Sequence, residues 1–150
     1  MRPSLANFLK NPHPFLPLSM RIFRPPTIAR VQTDGSYKNQ ISRTAVLLKT
    51  RDNIDYTLIN TYFDHLNSTE AEWVSVLNGI QYALKKDQGS VELENDCLPV
   101  IKHLIHKRPP AKSYLVTHYT AILKEARYMD YLGVRWIPRE FNKADDLFHI

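Results

Sequence analysis

Apolar and polar positions alternate over residues 28–33, and this pattern predicts a β-strand. The sequence Asp-Gly-Ser at residues 34–36 is typical of a turn, so the strand is expected to end there. Two further segments, 45–49 and 56–63, are rich in β-branched and aromatic residues and predict two more strands. Because short polar linkers join the three segments, we expect an antiparallel meander.

The hydrophobic period changes to that of a helix after residue 69. Thr69 is a candidate N-cap, and the helix is expected to end near Gly89. Its apolar positions are Trp73, Val76, Leu77, Ile80 and Leu84. A short strand over 91–94 and a second helix that opens at Asp96 are predicted next.

The last third of the chain predicts a long helix, a strand and a short helical end. The long helix is expected to begin at Ser113 and to be closed by Gly133. Residues 134–137 predict a fifth strand, and Asn142 is a candidate cap for the final helix. The order βββαβααβα predicts an α/β fold, in which a three-stranded antiparallel meander continues into parallel strands of one mixed five-stranded sheet with helices on both faces.

The charge is divided unevenly along the chain. The formal net charge is +5, and residues 1–30 contain five basic and no acidic residues, whereas residues 31–150 contain fifteen of each. Six of the ten prolines also lie in the first 30 residues, which disfavours an amphipathic transit peptide. We therefore predict a proline-rich basic arm, residues 1–27, and a folded domain, residues 28–150. The arm either contacts a phosphate backbone or covers part of the body.

Composition excludes several classes of protein. With 43% hydrophobic and 23% charged residues, the chain is expected to bury a core, and no apolar stretch approaches the roughly 20 residues of a membrane-spanning helix. The single cysteine, Cys97, cannot form an internal disulfide or a cysteine-based zinc site. A cytoplasmic location without membrane contact is the expectation.

Four acidic residues lie at the ends of predicted elements, where side chains can converge on one sheet edge. They are Asp34, Glu72, Asp96 and Asp145. Each also has a structural interpretation: a turn for Asp34, a capping box from Thr69 to Glu72, an N-cap for Asp96 and a helix N-terminus for Asp145. Crowded carboxylates repel one another unless divalent cations neutralise them, and Mg²⁺ prefers such hard oxygen ligands.

Four short segments carry a pattern that is specific when taken together. They are TDGS at 33–36, NSTEAEW at 67–73, END at 94–96 and IPREFNKAD at 137–145. Over residues 28–148 the chain resembles the ribonuclease H family, nearest to its compact forms that lack a basic protrusion. The resemblance implies a ribonuclease H-like fold, and it implies that the four acids are catalytic and bind two Mg²⁺ ions, with Mn²⁺ as a substitute.

Two pairs of neighbouring acids require a choice. Glu70 and Glu72 are about 200° apart around a helix, so both cannot face one site, and Glu72 fits the family motif. Asp145 is preferred to Asp146 because the family spacing Asn-x-x-Asp begins at Asn142.

Selection of an RNA strand requires contacts to 2′-hydroxyls, which small polar side chains can make. The polar candidates are Ser36, Asn67, Ser68 and Thr69, with turn and cap roles as alternatives. The candidates for contact with the DNA backbone are the basic residues Lys102, Lys107, Arg108 and Lys112, with a solvated helix end as the alternative.

The resulting hypothesis is an Mg²⁺-dependent endonuclease that cuts the RNA strand of RNA/DNA hybrids and leaves 3′-hydroxyl and 5′-phosphate ends. Another nuclease of the same fold, such as a junction resolvase or an exonuclease, is one alternative. A non-catalytic nucleic-acid-binding module is the other, because residues 37–44 lack the glycines usual in the family's first turn.

Overall fold

The computed structural model describes residues 28–149, so the predicted basic arm lies outside the described residues. The strands are β1 (Ala29–Lys38), β2 (Ile41–Lys49), β3 (Asp55–Tyr62), β4 (Ser90–Asn95) and β5 (Tyr131–Trp136). The α-helices are α1 (Ser68–Lys85), α2 (Leu98–Ile105) and α3 (Ser113–Ala126). Two 3₁₀ helices, Arg139–Phe141 and Lys143–His149, follow β5.

The strands form one mixed sheet in the order β3-β2-β1-β4-β5. β1 pairs antiparallel with β2, and β2 pairs antiparallel with β3, as expected for a meander. β4 pairs parallel with both β1 and β5, because helices cross over between these strands. The predicted α/β architecture with a mixed five-stranded sheet is confirmed.

Helix α1 and the C-terminal 3₁₀ helix cover opposite faces of β1. A Cβ on Gly79 of α1 would lie 2.5 Å from the Thr33 side chain and 3.0 Å from that of Val31. Gln32, between these two residues, instead accepts a hydrogen bond from the backbone N–H of Lys143 at 3.0 Å. Successive residues of a strand point to opposite faces, so the two helices lie on different sides of the sheet.

The hydrophobic core lies between α1, the other helices and the sheet. Its largest fully buried side chains are Trp73, Leu48, Ile80, Leu93, Ile101, Leu104, Ile122, Met129 and Leu132. None of the helices within residues 28–149 has the length and apolar character needed to cross a bilayer.

The predicted turn at residues 34–36 is wrong, because β1 continues through it. These residues pair with 43–45 of β2. The chain turns instead at Asn39 and Gln40, whose φ angles are 54° and 64°. Two successive positive φ angles are those of a two-residue type I′ hairpin turn, formed here without glycine.

Two predicted N-caps are also wrong. The N-cap of α1 is Asn67 rather than Thr69, because the Asn67 side chain accepts a hydrogen bond from the backbone N–H of Glu70 at 2.9 Å. Asp96 does not cap α2, whose N-cap position is Cys97. Asp96 belongs instead to the carboxylate cluster described below.

The predicted end of α3 is wrong, whereas the predicted cap of the final helix is confirmed. Gly133 does not close α3 but lies inside β5, where a Cβ would be 2.5 Å from Glu92 Oε2. The helix ends earlier, at Ala126. The predicted cap of the final helix is confirmed, because Asn142 Oδ1 accepts from the backbone N–H of Ala144 at 3.2 Å.

Replacement of Gln40 by Gly is expected to stabilise the protein by about 0.5–1 kcal/mol, because a side chain at positive φ is strained and glycine is not. Chemical denaturation measures the change in the free energy of unfolding. Gln40→Ala keeps the Cβ and is the matched control, for which no gain is expected. An equal gain in both variants would show that the turn is not strained.

Candidate functional site

Three carboxylates from different elements meet at one end of the sheet. Asp34 lies in β1, Glu72 near the start of α1, and Asp96 directly after β4. Each offers an oxygen atom, and these three atoms lie within 4.8 Å of one another. β1 and β4 are adjacent parallel strands, and residues that follow their paired segment emerge at the same edge of the sheet.

Glu72 reaches this cluster because α1 approaches β1 closely at Gly35. A Cβ on Gly35 would lie 2.5 Å from the carbonyl carbon of Ala71, so a larger residue would push the helix away. The Gly35 N–H donates a hydrogen bond to Glu72 Oε1 at 3.0 Å. The same contact therefore places the helix and orients its carboxylate.

Two buried asparagines tie together the segments that carry the carboxylates. Asn95 Nδ2 donates to the carbonyl and hydroxyl oxygens of Thr33, both at 3.0 Å, and to Glu72 Oε1 at 3.5 Å. Asn142 Nδ2 donates to the same Thr33 carbonyl at 2.9 Å and to Asp96 Oδ2 at 3.4 Å. β1 is thereby bound to both β4 and the C-terminal segment.

Asp145 lies beside the cluster, on the C-terminal 3₁₀ helix. It is near enough to raise the pKa of Asp34, and its charge also raises the pKa of Asp96. It is outside the group of three whose oxygens lie within 4.8 Å. The neighbouring Asp146 is exposed. Of the two adjacent acids, the structure thus brings Asp145 to the carboxylates.

The carboxylates hold their protons unusually tightly. Burial, followed by the charges of Glu72 and Asp96, raises the pKa of Asp34 to about 9. Burial and the charge of Asp96 raise the pKa of Glu72 to about 8. The pKa of Asp96 is also raised, chiefly by burial, while the positive charge of Arg139 opposes the shifts of Glu72 and Asp96.

This donor set fits a hard divalent cation. Clustered carboxylate oxygens are the ligands that Mg²⁺ and Mn²⁺ prefer. A cation bound among Asp34, Glu72 and Asp96 would offset the repulsion and the loss of hydration that raise their pKa values. In the absence of a cation, retained protons take over part of this role, because the pKa values of Asp34 and Glu72 are raised to about 9 and about 8.

Glu70 points away from the cluster and stabilises the start of α1. Its Oε1 accepts from the backbone N–H of Leu66 at 2.7 Å, and its Oε2 lies 2.8 Å from His118 Nε2 on α3. Together with the cap by Asn67, this forms a reciprocal capping pair. The capping box predicted two residues later is wrong, and Glu72 faces the carboxylates instead.

Asn95 and Arg139 contribute to the site but were not among the residues predicted from the sequence. Both lie inside the segments that carry the family resemblance, so their positions offered a signal. The roles of Asn95 and Arg139 could not be inferred from their positions in the sequence. Only the structure shows that the Asn95 amide binds a carboxylate and that the Arg139 charge acts on two of them.

Gln32 is a third contributor, and it acts through the C-terminal segment. Its Nε2 donates to Glu94 Oε1 at 2.8 Å and to the Phe141 carbonyl at 3.2 Å, while its Oε1 accepts from the Lys143 N–H at 3.0 Å. These bonds hold the backbone on both sides of Asn142. In the sequence Gln32 is simply a polar position of an alternating strand, which gives no sign of this role.

The polar candidates for substrate binding lie around the start of α1. Ser36 is half-buried on β1, and Ser68 and Thr69 are exposed in the first turn of the helix. Asn67 is occupied by its cap to α1 and by a hydrogen bond from its Nδ2 to the Tyr114 hydroxyl at 2.7 Å. Ser36, Ser68 and Thr69 are thus the accessible members of this set.

The basic candidates form an exposed patch on α2 and on the segment that joins α2 to α3. They are Lys102, Lys107, Arg108 and Lys112. Lys102 and Arg108 line an open cavity together with His103 and His106. The carbonyl of Arg108 lies 2.8 Å from His103 Nδ1, which fixes the course of the backbone after α2.

Comparisons with known proteins agree with this geometry. The sequence family described as reverse transcriptase-like matches residues 32–148. No curated protein matches the chain. Among solved structures, RNase H1 from the halophilic archaeon Halobacterium salinarum is similar with a TM-score of 0.72 at 16% identity, over 79% of this chain and 92% of that one.

Two further structures show the same likeness. The N-terminal RNase H domain of Rv2228c from Mycobacterium tuberculosis, solved as a fusion protein, has a TM-score of 0.69 at 16% identity and covers 81% of this chain and 90% of that one. LC11-RNase H1 in complex with an RNA/DNA hybrid has a TM-score of 0.70 at 16% identity, over 79% of this chain and 92% of that one. The predicted ribonuclease H-like fold is confirmed.

The metal-free protein is expected to lose stability as the pH rises from about 4 to about 9. Over this range the folded protein retains protons on Asp34 and Glu72 that the unfolded chain has released, so a rise in pH favours unfolding. Asp34→Asn removes one of these acids. In EDTA at about pH 8 this variant should therefore melt at a higher temperature than the wild type, and it should gain less from Mg²⁺.

Asp146→Asn is the matched control, because Asp146 is the exposed neighbour of Asp145. Thermal melts in EDTA and in Mg²⁺ at acidic, neutral and alkaline pH measure both effects. If Asp34→Asn and Asp146→Asn changed the melting temperature equally, the carboxylates would not interact as described.

Proposed function

We propose, on the premise that the chain belongs to the reverse transcriptase-like family and has a ribonuclease H-like domain, that it is a metal-dependent endonuclease for the RNA strand of RNA/DNA hybrids. The observation that most strongly supports this proposal is the convergence of Asp34, Glu72 and Asp96, with Asp145 beside them. A hybrid is also the molecule bound in the similar LC11-RNase H1 structure.

The four acids would hold two Mg²⁺ ions, or Mn²⁺ as a substitute. When bound, the ions would supply an activated water and stabilise the 3′-oxygen that leaves the cleaved phosphodiester, so the products carry 3′-hydroxyl and 5′-phosphate ends. The chain contributes fixed ligand positions. The Gly35 N–H orients Glu72, and Asn142 donates to Asp96, so neither carboxylate has to reorganise when substrate arrives.

Substrate recognition is divided between two surfaces. Ser36, Ser68 and Thr69, with Asn67 as their structural support, would contact 2′-hydroxyls of the RNA strand near the carboxylates. The basic residues of α2 and of the segment after it would contact the phosphates of the DNA strand. They are Lys102, Lys107, Arg108 and Lys112.

In the presence of Mg²⁺ the protein is expected to cut the RNA strand of a strand-labelled hybrid internally. Asp34→Asn and Glu72→Gln should each lower the rate by more than about 100-fold, because each removes a ligand charge. Glu70→Gln makes the same chemical change on the same helix but outside the cluster, so it should retain most of the activity.

Parallel incubations with RNA/RNA, DNA/DNA and branched DNA define the substrate. Cutting of branched DNA or stepwise trimming from an end would indicate a different nuclease of this fold, and binding without cutting would indicate a binding module. A greater loss in Glu70→Gln than in Glu72→Gln would contradict the assignment of the site.

The basic patch should determine how strongly hybrid binding depends on salt. In the inactive Asp34→Asn background, the double variant Lys107→Gln/Arg108→Gln should lower the slope of log affinity against log salt by up to about 2, since each phosphate contact contributes about 0.9 on duplex DNA. Lys85→Gln/Lys124→Gln is the control, with the same change of charge in the last turns of α1 and α3. Equal slopes for the two double variants would remove the patch from the binding surface.

A further inference from the structure

Exposed apolar side chains are concentrated on and around strand β3, the edge strand of the sheet. β3 is the first strand in the sheet order, and among residues 28–149 no strand pairs with its outer side. Of the seven large hydrophobic residues exposed in this part of the chain, five lie on β3, directly beside its ends, at the start of β2 or in the loop after β3. They are Ile41, Ile54, Ile59, Phe63 and Leu66, with Phe63 77% exposed. This concentration indicates a contact surface.

The hairpin turn determines which backbone groups β3 presents outward. In a two-residue hairpin the flanking residues, here Lys38 and Ile41, exchange both hydrogen bonds. Hydrogen-bonded pairs then recur at every second residue, so the odd-numbered residues of β2 bond to β1 and the even-numbered ones bond to β3. The register of β2 with β3 pairs even-numbered residues with even-numbered residues.

The odd-numbered residues of β3, Thr57, Ile59 and Thr61, consequently direct their N–H and C=O groups away from β2. One hydrogen bond supports this assignment, because the Thr57 carbonyl accepts from the Tyr82 hydroxyl at 3.2 Å. A carbonyl oxygen can accept a second hydrogen bond, so this contact does not close the edge.

The sequence of β3 is nearly palindromic about Ile59. It reads DYTLINTY over residues 55–62, which puts a threonine two positions away on each side of Ile59 and a tyrosine three positions away on each side. If two copies pair antiparallel with Ile59 opposite Ile59, then Thr57 faces Thr61 and Tyr56 faces Tyr62 of the second copy. Thr–Thr and aromatic pairs across strands are favourable.

This register also satisfies the backbone. It pairs Ile59 with Ile59 of the second copy and Thr57 with Thr61 of the second copy. All of these residues belong to the set whose N–H and C=O groups point outward. A register shifted by one residue would place the outward N–H and C=O groups of one copy opposite residues of the other copy whose N–H and C=O groups are already bonded to β2. The palindrome and the hydrogen-bond phase, which are independent properties, therefore select the same pairing.

β3 also lacks the features that usually protect an edge strand. No Lys, Arg or Pro occurs within Asp55–Tyr62. The only charged residue, Asp55, lies at the first position and is paired with Lys49 at 2.9 Å. Nothing in the strand therefore opposes addition of a second strand.

We propose that β3 is a self-association edge, at which two copies of this chain pair β3 against β3 with Ile59 at the two-fold axis and form one continuous sheet. The axis is perpendicular to the sheet, so the α1 helices of both copies lie on the same face. The two carboxylate clusters lie at opposite ends of the assembly, and each remains complete within its own copy.

Sedimentation velocity of the full chain over about a hundredfold concentration range, starting in the low micromolar, tests the association. The mass is expected to rise from that of one copy to that of two. Ile59→Lys places two like charges opposite each other and should weaken association by at least about tenfold. Ile59→Glu should do the same.

An equimolar mixture of Ile59→Lys and Ile59→Glu should associate again, because opposite charges then meet at the axis. Tyr128→Lys, which adds the same charge at an exposed aromatic residue outside β3, is the control and should associate like the wild type. Melting temperatures verify that each variant is folded.

Three results would overturn the proposal. They are a single-copy mass at every concentration, association that Ile59→Lys leaves unchanged, and a Lys/Glu mixture that associates no better than its components. The experiment measures association alone, so its outcome does not depend on nuclease activity.

Discussion

The contact between β1 and α1 at Gly35 is the constraint on which the rest of the site depends. Because Gly35 has no side chain, the first turns of α1 approach β1 closely enough for the Gly35 N–H to bind Glu72. This brings a helix carboxylate beside Asp34 of β1 and Asp96, directly after β4, which the parallel pairing of β1 and β4 already places together. Any residue larger than glycine would separate the helix and strand contributions to the cluster.

Polar contacts, rather than a long packed helix, hold the C-terminal part of the site. The last element is a 3₁₀ helix of seven residues, Lys143–His149, with a buried apolar anchor only at Ala144. Buried hydrogen bonds tie the segment around its start to the sheet. Gln32 of β1 donates to Glu94 and accepts from the Lys143 N–H, and Asn142 donates to the Thr33 carbonyl of β1. These buried side-chain amides favour a single geometry, because loss of their hydrogen bonds would leave buried donors and acceptors unsatisfied. The position of Asp145 thus depends on side chains of the sheet.

The sequence predicted the sheet and the order of its elements, because these depend on hydrophobic period. The helical angle showed that Glu70 and Glu72 cannot both face one site, and the family motif selected Glu72. Prediction from the sequence failed at boundaries where hydrogen bonds decide. Residues 34–36 have turn composition but pair with β2, and Gly133 suits a helix end but lies beside Glu92 in β5. The roles of Asn95 and Gln32 also stayed hidden, since an amide's partners depend on distant segments and leave no periodic signal.

The glycine-poor hairpin illustrates how one local conformation controls distant features. Residues 37–44 lack glycine, yet the site is unaffected, because the glycine it requires is Gly35 and the turn at Asn39 and Gln40 adopts positive φ without one. The two-residue length of that turn fixes the hydrogen-bond phase of β2 and therefore of β3. A turn longer by one residue would reverse both the inward-facing side chains of β2 and the set of β3 groups that point outward. The turn consequently specifies the core face of the meander and the self-complementary edge together.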